Sequence, residues 1–115
     1  PFDGVISLHS GFSYTRDQAL MKRMLERVHS SLAQGGTVLW DSPNEEFYGS
    51  RRVLEWPAGE ERVRTICYGH DADMVKTLFT DSGFAIKRLW GGYTPLTEYQ
   101  KDSPRINVEA TKQTK

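Results

Sequence analysis

His9 is the side chain of this sequence best suited to acid–base work. An imidazole titrates near neutrality and can take a proton from a hydroxyl or an amine. It lies in Leu8-His-Ser-Gly-Phe-Ser-Tyr14, directly after the apolar run Phe2–Leu8. If that run is a strand of an open α/β sheet, the segment stands at its carboxyl end, where such sheets bind ligands. Trp40 and Asp41 end a second apolar run and face the same crevice, so an aromatic wall and a carboxylate there could orient an amine or hydroxyl. Tyr48 and Arg51 follow, and Tyr93 and Arg105 belong to a late segment. A guanidinium such as that of Arg105 can hold a carboxylate through two parallel bonds. Each has a plainer reading. Ser and Gly make ordinary strand-to-helix turns, a lone histidine more often packs, Asp41 can cap a turn, and Arg105 can pair within the fold.

Other chemistries find less support. Ser13, Asp41 and His70 occur in the order of an α/β-hydrolase triad, but Gly11-Phe-Ser-Tyr-Thr15 lacks the second glycine of a nucleophile elbow. The intervening segments are also too short for that fold. His9, His29, His70 and Cys67 show no ligand spacing, so no metal is expected. Gly35-Gly36 follows a helical pattern, and Gly91-Gly92 follows a strand without opening a helix, so neither forms a nucleotide loop.

Fifteen Lys plus Arg balance fifteen Asp plus Glu, which gives no attraction to nucleic acid or an anionic membrane. A small or neutral partner is more natural. One cysteine, Cys67, excludes an internal disulfide, and no apolar run approaches a membrane span; a cytoplasmic setting is expected. With 115 residues, 37% of them hydrophobic, one domain is the ceiling. The chain begins at Pro1, without Met, and runs straight into a strand pattern, so a removed upstream segment is expected.

The positioning elements follow from periodicity. Phe2–Leu8 reads as a strand covered on both faces. Thr15-Arg-Asp-Gln18 has the form of a capping box, and Leu20, Met21, Met24, Leu25, Val28 and Leu32 recur at helical spacing. Gly35-Gly36 is expected to end that helix, and Thr37–Asp41 reads as the next strand, stopped by Ser42-Pro43-Asn44. Two strand-like runs about Pro57–Glu60 predict an exposed hairpin over about 50–69. Asp71 should cap a short helix closed by Gly83, with Phe84 touching Phe79. Phe84–Trp90 reads as a third sheet strand. After a polar loop, Ile106, Val108 and Ala110 alternate with Asn107, Glu109 and Thr111, a strand with unlike faces. Lys112–Lys115 reads as a solvated tail.

The order Phe2-Asp-Gly-Val-Ile6, long helix, Leu32-Ala-Gln-Gly-Gly36 and the strand through Trp40 resembles a stretch of class I S-adenosylmethionine-dependent methyltransferases. Asp81-Ser-Gly-Phe84 leading to Gly91 and Tyr93, then Asp102-Ser-Pro-Arg105, is similar to the last strands of the small-molecule branch. The resemblance covers nearly the whole chain as one domain or fragment, residues 1–115. It implies the C-terminal part of a Rossmann-like α/β fold, a mixed sheet with a last antiparallel strand and an inserted hairpin. It further implies methyl transfer to a small-molecule acceptor, with Leu8, His9, Ser10 and Phe12 toward the cofactor and Ser13, Tyr14, Trp40, Asp41, Tyr48, Arg51, Tyr93 and Arg105 toward the acceptor. The family's first strand–helix units, with their glycine-rich cradle, have no counterpart here. This chain alone is therefore expected to bind S-adenosylmethionine weakly or not at all. The other reading is a non-catalytic half-domain. Phe2–Leu8 would then be an open apolar edge, inviting self-association or a missing N-terminal segment.

Overall fold

The computed structural model describes residues 2–7, 15–93 and 96–113. Strand β1 (Phe2–Ser7) and strand β2 (Leu32–Pro43) pair in parallel, with helix α1 (Gln18–Ser31) between them in the chain. Helix α2 (Glu45–Tyr48) leads into a hairpin of β3 (Arg51–Ala58) and β4 (Glu61–Tyr68). Helix α3 (Ala72–Asp81) follows, then β5 (Phe84–Tyr93), β6 (Leu96–Glu98) and β7 (Arg105–Lys112). The main sheet has the order β1-β2-β7-β5-β6. The last strand enters between β2 and β5, antiparallel to both. This is the expected mixed α/β sheet with a separate inserted hairpin.

Both longer helices pack on one face of the sheet. Met21 and Leu25 of α1 and Val75, Leu78 and Phe79 of α3 meet Val38, Trp40, Ile106, Val108 and Ala110 in one core. Rings set its geometry: Phe79 stands edge-on to Trp40 (6.3 Å between centroids) and to Phe84 (5.7 Å). The second contact is the expected one at the α3 terminus. Gly83 there has φ +92°, a left-handed conformation that other residues adopt at a cost. At the other end, the Asp71 Oδ2 accepts from the Met74 N–H at 3.0 Å, as expected of a cap. Asp71→Ala is expected to lower stability by about 1 kcal/mol, readable as a fall in the thermal midpoint.

Four local expectations are corrected. Asp17, not Thr15, caps α1: its Oδ1 accepts from the Leu20 N–H at 3.1 Å, while Thr15 Oγ1 accepts from the Asp17 N–H. A carboxylate is the better acceptor at the positive end of a helix. The helix also stops at Ser31, before the glycine pair. Pairing jumps from Phe2–Leu32 to Gly4–Thr37, so Gly35 (φ +74°) and Gly36 lie in a bulged stretch beside β1. Lys112 is no solvated tail. It closes β7, and its Nζ donates to the carbonyls of His29 (2.8 Å) and Leu32 (2.9 Å), a cation on the negative end of α1. Finally, Asn107 of the polar face of β7 is 1% exposed, because β7 is interior in the sheet.

Strand β6 is an element that periodicity did not reveal. Three residues are too few to show a pattern, and Glu98 holds it by an ion pair with Arg88 (3.1 Å). The hairpin turns at Gly59 (φ +67°). Val53, Trp56, Val63 and Ile66 remain exposed on it, on both of its faces by register.

Candidate functional site

The carboxyl ends of the two parallel strands define the crevice. Leu8, His9, Ser10, Phe12, Ser13 and Tyr14 lie outside the described residues. From β2 onward the site can be built. Trp40 faces the helices, stacked edge-on against Phe79, so strand alternation turns Asp41 to the opposite face. The two therefore do not stand side by side as a wall and a carboxylate. Asp41 is buried and lies 3.9 Å from Arg105 Nη1, so these two expected residues are brought together. Arg105 pairs within the fold.

Asn107 is directly opposite Asp41 in the β2–β7 register, and Trp90 is opposite Asn107 on the other side. The Asn107 Nδ2 donates to the Trp90 carbonyl (3.2 Å). Its Oδ1 is buried and meets no donor among the described residues. A buried acceptor without a donor is costly. The Asn107 carbonyl, next to the Asp41 carboxylate in the register, is thus an acceptor suited to an N–H or O–H.

Asn44, which the sequence showed only as a strand stop, organises the end of β2. Its Nδ2 donates to the carbonyls of Lys101 (2.8 Å) and Ser103 (2.7 Å), and its Oδ1 accepts from the Glu46 N–H (3.3 Å). The adjacent backbone is cross-tied: the His70 N–H donates to Pro43 (2.9 Å) and the Glu45 N–H to His70 (3.0 Å). The Asn44 side chain thereby ties α2 to the segment before β7, and these backbone bonds tie both to the base of the hairpin. Tyr99 joins this group. Burial pushes its phenol above the usual value of 10, the Asn44 side chain pulls it back, and the Asp71 carboxylate raises it further.

A small cleft of about 150 Å³ opens beside these ties, lined by Arg16, Gln18, Glu45, His70, Asp71 and Met74. All three helices begin at or near it, so their positive ends converge there. Periodicity missed Arg16 and His70 in this setting, although the two expected helix starts, at Thr15–Gln18 and at Asp71, were a usable signal. Tyr48 lies half-buried at the end of α2 against Phe47 (4.7 Å between ring centroids). Arg51 is exposed and pairs with Tyr68 at the foot of the hairpin. Tyr93 ends β5. No group of metal-ligating side chains occurs among the described residues, and no helix among them is long and apolar enough to cross a membrane.

Solved structures share this architecture. An S-adenosylmethionine-dependent methyltransferase from Clostridium acetobutylicum superposes with a TM-score of 0.80 at 12% identity, covering 98% of this chain and 59% of its own. The chain has the fold of part of an S-adenosylmethionine-dependent methyltransferase. The CcbJ methyltransferase from Streptomyces caelestis gives 0.77 at 6% identity, over 98% of this chain and 58% of its own. CalS10 from Micromonospora echinaspora, an amino pentose methyltransferase solved with its cofactor bound, gives 0.64 at 13%, over 97% and 58%. The chain thus spans about three fifths of the length of these methyltransferases. No protein-family model and no curated protein matches the sequence.

The left-handed glycines Gly35, Gly49, Gly59 and Gly83 lie in a bulge, after helices or in the hairpin turn. None opens a helix toward a ligand, as phosphate and nucleotide loops do.

Proposed function

We propose that this chain is the acceptor-side part of an S-adenosylmethionine-dependent methyltransferase that modifies a small molecule bearing an amine or hydroxyl. The observation that carries the reading is the buried Asn107 acceptor, beside the Asp41–Arg105 pair at the carboxyl end of β2, in a methyltransferase fold. Its chemistry suits a donor group on the acceptor molecule. The cofactor brings a methyl group that is already activated, so the protein needs no covalent intermediate. These residues hold and orient the acceptor, and Arg105 sets the position of the Asp41 carboxylate. His9, in the segment of the sequence that follows β1, is the proposed proton acceptor. The cradle for the nucleotide is assigned outside these elements.

Two titrations test this. Small amines and polyols added to the isotope-labelled chain are expected to shift the amide resonances of Asp41 and Asn107; no shift from any of them overturns the acceptor role. Calorimetry with S-adenosylhomocysteine is expected to give little or no heat. Tight binding would place a cofactor cradle in this chain and overturn the division of labour.

A further inference from the structure

We infer that the acceptor molecule docks through a hydroxyl, held between the indole N–H of Trp90 and the side-chain carbonyl of Asn107. This rests on the acceptor-side reading above and narrows it from amine or hydroxyl to hydroxyl. Trp90 of β5 is directly opposite Asn107 of β7, so the two side chains stand on one face of the sheet, about 4.5–5.5 Å apart at Cβ. Asp41 lies on the other side of Asn107 in the same row. Both β5 and β7 are interior in the sheet, so the pair depends on neither edge. The Trp90 Nε1 and the Asn107 Oδ1 are each buried and meet no partner among the described residues. Asn107 itself is 1% exposed, and its Nδ2 is already committed to the Trp90 carbonyl at 3.2 Å.

The opposite sense of the two atoms selects the ligand. An indole N–H only donates and an amide carbonyl only accepts, and a buried polar atom left unpaired is costly. One group between them must therefore accept from Trp90 and donate to Asn107. A hydroxyl does both through a single oxygen. An ammonium, the form of an aliphatic amine at neutral pH, only donates and leaves the indole unpaired. An ether only accepts and leaves Asn107 unpaired. The carboxylates that flank the pair in the row, Asp41 and Glu98, already face Arg105 and Arg88, so neither is left to hold an ammonium. Those two arginines stand two residues from Asn107 and Trp90 along the same strands. Both are partly exposed, so the border of the pair is made of long side chains that can move to admit the group.

Three small probes, propanol, propylammonium and diethyl ether, are titrated at neutral pH into the isotope-labelled chain. Propanol is expected to shift the indole N–H resonance of Trp90 and the side-chain amide of Asn107 together, with the exposed indole of Trp56 unmoved. Propylammonium and the ether are expected to bind at least about tenfold more weakly, since each leaves one buried group unsatisfied. Equal binding by propylammonium overturns the selection for a hydroxyl. A Trp90 indole that no probe moves, or that moves only in step with Trp56, overturns the site. Trp90→Phe keeps a ring and removes the N–H. Checked for folding by circular dichroism, it is expected to bind propanol and propylammonium with similar affinity, read at the Asn107 side chain; a folded variant that keeps the preference overturns the role of the indole. Should the variant not fold, the titration of the parent chain decides alone. If propylammonium moves the backbone amides of Asp41 and Asn107 and propanol does not, the hydroxyl falls while the acceptor-side reading stands. If no probe moves those amides, the acceptor-side reading falls as well.

Discussion

Phe79→Ala is expected to cost about 3–5 kcal/mol, the range for removing a buried ring from a packed core. Phe79 is fully buried on α3 and touches Trp40 of β2 and Phe84 of β5 edge-on. It therefore joins one helix to two strands, and no neighbouring side chain can fill the volume without giving up its own ring contact. Domains of this size are stable by roughly 5–15 kcal/mol, so the variant loses a large share of the total. Urea denaturation followed by tryptophan fluorescence measures it, since Trp40 reports on the same cluster. Phe47→Ala is the control. That ring is 55% exposed, and its loss is expected to change stability by about 0.5 kcal/mol or less. Equal effects from the two variants would mean that the core is not organised around Phe79.

The elements that depend on local patterns were legible in the sequence. The stripe from Leu20 to Leu32 gave α1, Asp71 and Gly83 bounded α3, and the alternation around Val108 gave β7, because each signal is complete within a dozen residues. Features that depend on distant partners were not. Asn107 looked like the wet side of a strand until the sheet order placed β7 between β2 and β5. Lys112 looked like tail until its ammonium met the carbonyl end of α1, 83 residues away in sequence from His29. The glycine pair at 35–36 had the composition of a helix end, yet a bulge beside β1 needs the same conformational freedom.

The site divides in the same way. Asp41 and Arg105 were both singled out, and their pairing follows from the antiparallel register that sets Arg105 opposite Pro43, two residues from Asp41. Trp40 and Asp41 are neighbours in sequence but lie on opposite faces, which is the consequence of a strand that composition alone leaves open. Asn44 carried no chemical signal. Its importance lies in bonds to carbonyls 57 and 59 residues away.

Gly69→Ala is expected to disturb this site more than any surface substitution. A Cβ at Gly69 would collide with the Gly49 carbonyl oxygen and stand 2.8 Å from Glu45 Cα. Both are backbone atoms, so neither can rotate aside, and relief requires the foot of β4 to move away from α2. Such a movement strains the bonds from the Gly69 N–H to Ser50 (3.2 Å) and from the Glu45 N–H to His70 (3.0 Å), which tie the hairpin to the cleft. Overpacking of this kind costs about 1–3 kcal/mol, concentrated at one junction. Hydrogen exchange at Glu45 and His70 is expected to accelerate well before the sheet amides respond. Gly59→Ala at the hairpin tip separates strain from collision. Its φ is +67° with open space around the added methyl, so it costs about 1–2 kcal/mol of backbone strain and should leave the Glu45 and His70 amides unchanged. If Gly69→Ala also leaves them unchanged, the hairpin is not anchored through that contact, and the cleft must owe its shape to Asn44 alone.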